Sequence, residues 1–260
     1  MSPYWRAVWE VALFLLGVSL LTTLTGMLLG FLAFGPLVLV VAVLQSLVPI
    51  VGTLVYLDWR WGWRVDTIGL IGGRHLRWLP AGLGLGALAL VLTHGLGILL
   101  GGPVVPVLDS SAPVWLAVGP ALISVLSVEL LFRGGATARL QADLAPKEAL
   151  WTALALPLVA SWLSGSLISV PSGIHTREPW TLFFTAALTL LYLRTGSLWL
   201  NLGLSAVVMV LPLALGLFIL PQAALLLWVT VAVILLIMAW RRVDRMPRRV
   251  GPQRQRMGRR

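Results

Sequence analysis

The chain has 260 residues, 59% of them hydrophobic and only 11% charged, with a mean hydropathy of +0.96, a balance that excludes a water-soluble domain of this size. Its net charge of +10 reflects 19 Lys and Arg against 9 Asp and Glu. The absence of cysteine excludes disulfide frameworks and thiolate metal sites.

Apolar runs able to cross roughly 30 Å of hydrocarbon, about 20 residues each, fall at 8–33, 36–57, 79–100, 114–132, 148–170, 180–193, 197–219 and 221–240. Backbone groups in lipid must be satisfied within each segment, so these runs predict an all-α polytopic membrane protein with about eight transmembrane helices in one bundle over 1–240. The first run follows a start whose one positive charge is Arg6. It lacks a short apolar core followed by a small-residue cleavage site, which predicts a retained span and not a signal peptide. Residues 58–78 mix Trp59, Trp61 and Trp63 with Arg60 and Arg64 and predict an interfacial helix. In the third run Gly82, Gly84 and Gly86 make a small-residue face, with a GxxxG spacing, for close helix contact. The sixth run is short and parted from the seventh by Gly196, so a single bent hairpin is the alternative there. Pro36, Pro80, Pro113, Pro179 and Pro221 stand near helix starts, where a missing N–H is tolerated. The tail, 241–260, carries nine arginines and one acid, Asp244, interrupted by Pro247, Gly251, Pro252 and Gly258, a composition that predicts disorder.

Charge placement gives an orientation, because short cytoplasmic loops collect Lys and Arg. With both termini at the cytoplasmic face of the plasma membrane, all but one of the 19 basic residues lie on that side, the exception being Arg177. Trp59, Trp63, Trp78, Trp180 and Trp240 stand at predicted helix ends and fit an interfacial aromatic belt. The arginine tail would attract anionic lipids. Without interleaved aromatics or a folded reader it predicts no specific nucleic-acid binding.

The candidate chemistry lies in Ser127-Val128-Glu129-Leu130-Leu131-Phe132-Arg133-Gly134. Glu129 is the carboxylate assigned to the interior of a span, a costly placement that marks a functional candidate. Arg133, four residues on, shares its helix face and can pair with it. The plainer reading is a helix-end ion pair one turn inside the membrane boundary. His94, midway along the third span, Trp162 in the fifth, and Asn201, one turn before Ser205 in the seventh, are candidate cavity-lining residues. A lone histidine in such a place more often bonds a neighbouring helix. Ser164-Gly165-Ser166 lacks the Gly-x-Ser-Gly arrangement of an intramembrane serine protease and reads as packing, and His175 beside Arg177 and Glu178 reads as solvated.

The stretch Val128-Glu129-Leu130-Leu131-Phe132-Arg133-Gly134 resembles the first motif of the CAAX-protease and bacteriocin-processing (CPBP) family of intramembrane endopeptidases, two adjacent glutamates followed by three residues and an arginine. Ile68-Gly69-Leu70 and Arg194-Thr195-Gly196-Ser197-Leu198-Trp199 extend the resemblance over about 65–215. It implies an eight-helix bundle with a polar cavity, and Glu129 and Arg133 as retained motif residues. It also implies losses. Val128 stands where the family has its first glutamate, the water-activating base. The second motif, an aromatic residue followed four later by histidine, maps onto Trp162 and Ser166. The third, histidine followed four later by Asn or Asp, maps onto Ser205 and Met209. The only histidines, His75, His94 and His175, cannot fill these positions in any register. Amide hydrolysis needs a base, oxyanion donors and, if a metal is used, about three protein ligands, so no metal or cofactor is expected. The reading is a catalytically inactive homologue that holds a membrane partner or a lipid-like ligand. The alternative is an active endopeptidase using Glu129 on a prenylated or small peptide. A transporter is disfavoured, since one intramembrane carboxylate and no paired broken helices are visible.

Overall fold

A computed structural model describes residues 2–30, 37–63, 68–70, 73–102, 115–164, 179–215 and 219–241. Among these residues the regular structure is entirely helical. In chain order it comprises α1 (Pro3–Gly30), α2 (Leu37–Trp61), a single turn α3 (Gly73–Leu76), α4 (Trp78–Leu99), α5 (Trp115–Glu129), a π-helical stretch Leu130–Thr137 and α6 (Ala138–Asp143). It continues with α7 (Pro146–Ser164), α8 (Pro179–Thr195), α9 (Leu198–Ser205), a second π-helical stretch Ala206–Val210, α10 (Leu211–Leu215) and α11 (Pro221–Trp240). Ser166, His175, Arg64 and the tail beyond Arg241 lie outside the described residues, as does the side chain of Trp162.

Among the described residues five helices are long and apolar enough to cross a membrane: Pro3–Leu29, Trp78–Leu99, Val118–Asp143, Leu198–Leu215 and Pro221–Trp240. Their outward faces carry Leu16, Leu20 and Leu28 on α1, Leu88 and Val91 on α4, and Leu226, Ile234 and Ile237 on α11. Apolar faces of that extent mark a surface made for something other than water. The chain is therefore a helical membrane protein. Of the eight spans the sequence leads one to expect, the other three are not established by length and composition. The sixth is α8, whose 17 residues reach about 26 Å, short of the roughly 30 Å of hydrocarbon.

Three further expectations are corrected. The fourth span does not stop at 132; the helix runs on through the π-helical stretch to Asp143, so Glu129 and Arg133 sit well inside a 26-residue span. The 58–78 segment is not one interfacial helix, because residues to Trp61 belong to α2 and the next described helix is the four-residue α3. The aromatic belt also loses members. Trp59 and Trp240 are exposed, but Trp63 and Trp180 are buried, and Trp63 packs against Trp61, whose ring in turn meets Phe14 and Tyr56. Hydropathy cannot tell a tryptophan at a lipid interface from one inside the bundle.

The helices form two adjoining cores. One gathers α1, α2, the 130–137 stretch, α6 and α7 around Phe14, Trp61, Leu130, Leu140 and Leu150. The other gathers α4, α8, α9 and α11 around Ala89, Phe184, Leu204 and Trp228. Between α4 and α9 the helices close to backbone contact. A Cβ on Gly82 would collide with the Leu200 carbonyl, one on Gly86 would lie 2.7 Å from Val207, and one on Gly203 would lie 2.9 Å from the Leu79 carbonyl. Gly84, also expected on this face, looks onto open space. Along α2 and α5 the seam is polar: the Ser127 hydroxyl donates to the Ser46 carbonyl (2.7 Å), and Ser46 meets Ser124 (3.4 Å).

Contacts between helix ends fix which ends share a side. Glu10 on α1 pairs with Arg60 on α2 (3.6 Å) and Arg139 on α6 (2.8 Å). Tyr4 meets Thr152 on α7, and Lys147 lies over Trp240 on α11. Gln141 donates to the Leu193 carbonyl of α8, Tyr192 to that of Ile68, and Ser197 to that of His75. One end of the bundle thus collects the start of α1, the ends of α2, α6, α8 and α11, and residues 68–70 and 73–78.

Candidate functional site

Where the two cores adjoin, α5 delivers Glu129 and α9 delivers Ser205. Both side chains point inward with their neighbours on the same faces, Val125 one turn before Glu129 and Val208 one turn after Ser205, which are buried apolar residues. Each polar residue is followed at once by a π-helical stretch. In the first, the Ala138 N–H reaches back five residues to the Arg133 carbonyl; in the second, Leu211 reaches the Ala206 carbonyl. Such wider turns shift the register of the helix face beyond them and recur at functional sites. Gly134 and Gly135 let the first one pack. A Cβ on Gly135 would lie 2.7 Å from the Phe14 ring, and one on Gly134 3.2 Å from Leu198.

The geometry is asymmetric. Glu129 Oε1 accepts from Arg133 Nη1 at 3.2 Å and from the Ser205 hydroxyl at 3.1 Å. Glu129 Oε2 is buried and makes no hydrogen bond among the described residues, and neither does Arg133 Nε. The guanidinium also donates through Nη2 to the Thr185 carbonyl of α8 at 3.0 Å, which accepts the Thr189 hydroxyl as well (2.9 Å). Glu129 is 2% exposed and Arg133 1%. A charge this deep must be compensated by its partner, since removing either leaves the other without counter-charge in a medium that solvates it poorly. The helix-end reading is thereby replaced by a mid-helix ion pair linking three elements.

The other expected residues divide. Ser205 joins Glu129 directly. Asn201, one turn earlier on α9, is fully buried; its amide donates to the Leu188 carbonyl at 2.8 Å and its Oδ1 has no partner among the described residues. Met209 packs against Ala121, Val125 and Val210. Val128, at the position matching the family's first glutamate, is 37% exposed, turned away from the buried carboxylate beside it. His94 bonds within its own helix, Nδ1 to the Leu90 carbonyl at 2.9 Å, and is not brought to Glu129 by any described contact. Among the described residues no three His, Cys, Asp or Glu side chains form a group able to hold a metal ion. As chemistry, the centre offers one carboxylate oxygen held by a guanidinium and a hydroxyl, and a second oxygen able to accept a hydrogen bond.

Sequence reasoning missed Thr185, whose contribution is a backbone carbonyl, and both π-helical stretches. The Gly134-Gly135 pair was the visible signal of an irregular turn. The Ile68-Gly69-Leu70 and Gly196-Ser197-Leu198-Trp199 stretches do meet. Trp199 Nε1 donates to the Leu70 carbonyl at 2.6 Å and the Leu198 N–H to Gly69 at 3.4 Å. Gly69, at φ 79°, lies so close that a Cβ would strike the Gly196 carbonyl.

No family model, curated protein or solved structure matches the chain.

Proposed function

We propose that the chain is a non-catalytic membrane protein resembling the CPBP endopeptidases, in which the Glu129 centre serves to bind a membrane partner or a lipid-like ligand. One observation carries this reading. Glu129, Arg133 and Ser205, which the resemblance singled out from motifs 76 residues apart, meet around one carboxylate oxygen while the other oxygen accepts nothing from the described residues. A buried acceptor left without a donor costs about 1–3 kcal/mol. A hydroxyl or amide N–H of a bound molecule would relieve that cost, which gives the centre a recognition role without requiring hydrolysis. Valine at 128 and serine at 205 leave neither a second carboxylate nor an imidazole to activate water.

Eight crossings with both termini on the cytoplasmic side complete the proposal. Support comes from the bundle end that gathers the start of α1, the end of α11 and the segments bearing Arg60, Arg77, Arg139, Lys147 and Arg194. In this reading the arginine tail lies against anionic lipid.

A working endopeptidase remains the second reading, favoured by the two π-helical stretches that flank Glu129 and Ser205. Metal analysis of the purified protein separates the two. The binding reading expects zinc far below one per chain, unchanged by Glu129→Gln. About one zinc per chain, lost in that variant, would overturn it.

A further inference from the structure

At the end of the bundle where α3 meets α4, a cleft of about 410 Å³ opens between His75, Arg77 and Trp78 on one side and Arg194 and Thr195, the last residues of α8, on the other. That volume falls in the range of small-ligand sites, roughly 300–1,000 Å³. Among the described residues its lining bears two guanidinium groups and an imidazole and no carboxylate. Arg60 and Arg139 at this end of the bundle are held by Glu10, whereas among the described residues neither Arg77 nor Arg194 enters an ion pair. Both are exposed, so their charges face outward into the cleft's opening and not into the core.

Two features make this more than a pair of surface arginines. The 22-residue helix α4 begins at the cleft and no side chain caps its first turn, so the positive end of its dipole lies beside the two guanidinium groups. The walls are also fixed. Ser197 Oγ donates to the His75 carbonyl at 3.1 Å, and Gly69 is wedged against Gly196 behind it.

Trp78 and Leu198 begin two of the helices that are long and apolar enough to cross a membrane. Taken as spans, these helices put the cleft where hydrocarbon gives way to headgroups, the depth of lipid phosphates and the usual depth of interfacial tryptophan. We propose that it binds the phosphate of an anionic phospholipid, with Arg77 and Arg194 reaching its oxygens from opposite walls. Guanidinium forks suit phosphate oxygens through paired hydrogen bonds. Free phosphate has the same chemistry; the position at the ends of two spans is what favours the lipid.

The test titrates delipidated full-length protein in detergent with fluorescent phosphatidic acid, comparing wild type with Arg77→Gln/Arg194→Gln. The arginine tail is present in both and its attraction cancels. The double variant should bind at least about tenfold more weakly. Diacylglycerol should not compete, and inorganic phosphate should compete only at concentrations about a hundredfold or more above the lipid's. Equal binding by wild type and variant would overturn the proposal. Inorganic phosphate competing as well as the lipid would overturn the lipid as occupant. Should the double variant fail to fold, Arg77→Lys and Arg194→Lys carry the test, each expected to weaken binding severalfold because a point charge replaces a planar fork. Unchanged binding in both would overturn the site.

Discussion

One oxygen of the Glu129 carboxylate holds two hydrogen bonds and the other none from the described residues, and this asymmetry defines what the residue can do. The doubly bonded oxygen anchors α5 to α9 through Ser205, while Arg133 carries the link on to α8 through the Thr185 carbonyl. Such a pair couples the stability of three helices to its own integrity. Breaking a buried pair from one side typically costs about 3–5 kcal/mol, whereas replacing both partners by apolar groups of similar size can be nearly neutral. Glu129→Ala or Arg133→Ala alone should therefore lower the melting temperature in detergent clearly more than Glu129→Leu combined with Arg133→Met. If both single variants melt like wild type, the pair has no structural duty and the catalytic reading gains.

At the scale of the helix, the contact between α4 and α9 depends on glycine because the backbones touch. Gly82→Ala would drive a Cβ into the Leu200 carbonyl, which cannot move aside as a flexible side chain could. Overpacking of this kind costs about 1–3 kcal/mol. Gly84→Ala adds a methyl facing open space and gains helix propensity, about 1 kcal/mol relative to glycine. Thermal unfolding should thus show Gly82→Ala destabilised and Gly84→Ala unchanged or slightly stabilised; equal effects would mean that α4 and α9 do not meet at Gly82. The small-residue face was legible in the sequence, since GxxxG spacing states which two glycines share a side, and Gly84 falls between them. The path of the helix beyond Phe132 was not. A second charge so soon after Glu129 reads as the end of a span, and Arg133 looks like a boundary until its burial partner is known. The π-helical stretches leave no periodic trace, because one widened turn shifts the register of the next turns without changing their composition. Ser205 came into view only through the spacing of a resembled motif, since a serine in an apolar helix usually signals packing.

For the whole molecule, the shared bundle end makes a prediction about orientation. Segments holding Arg6, Arg77, Arg194 and Arg241 should lie on one side and residues 101–113 on the other. Reporter fusions after Arg194 and at the C-terminus should read cytoplasmic, and one within 101–113 should read outside. A cytoplasmic signal from 101–113 would refute the eight-crossing arrangement. The tryptophans show where whole-chain inference from composition stops: Trp59 and Trp63 stand four residues apart and are each followed by an arginine, yet one faces outward and the other is buried against Trp61.

On the proposed reading this bundle keeps a carboxylate for binding and not for hydrolysis. The most direct test reconstitutes the full-length protein and its Glu129→Gln variant in vesicles with a membrane-anchored peptide bearing a prenylated C-terminus, and measures cleavage. Neither protein should cleave above the level of vesicles without protein. Cleavage by the wild type that disappears in Glu129→Gln would contradict the account.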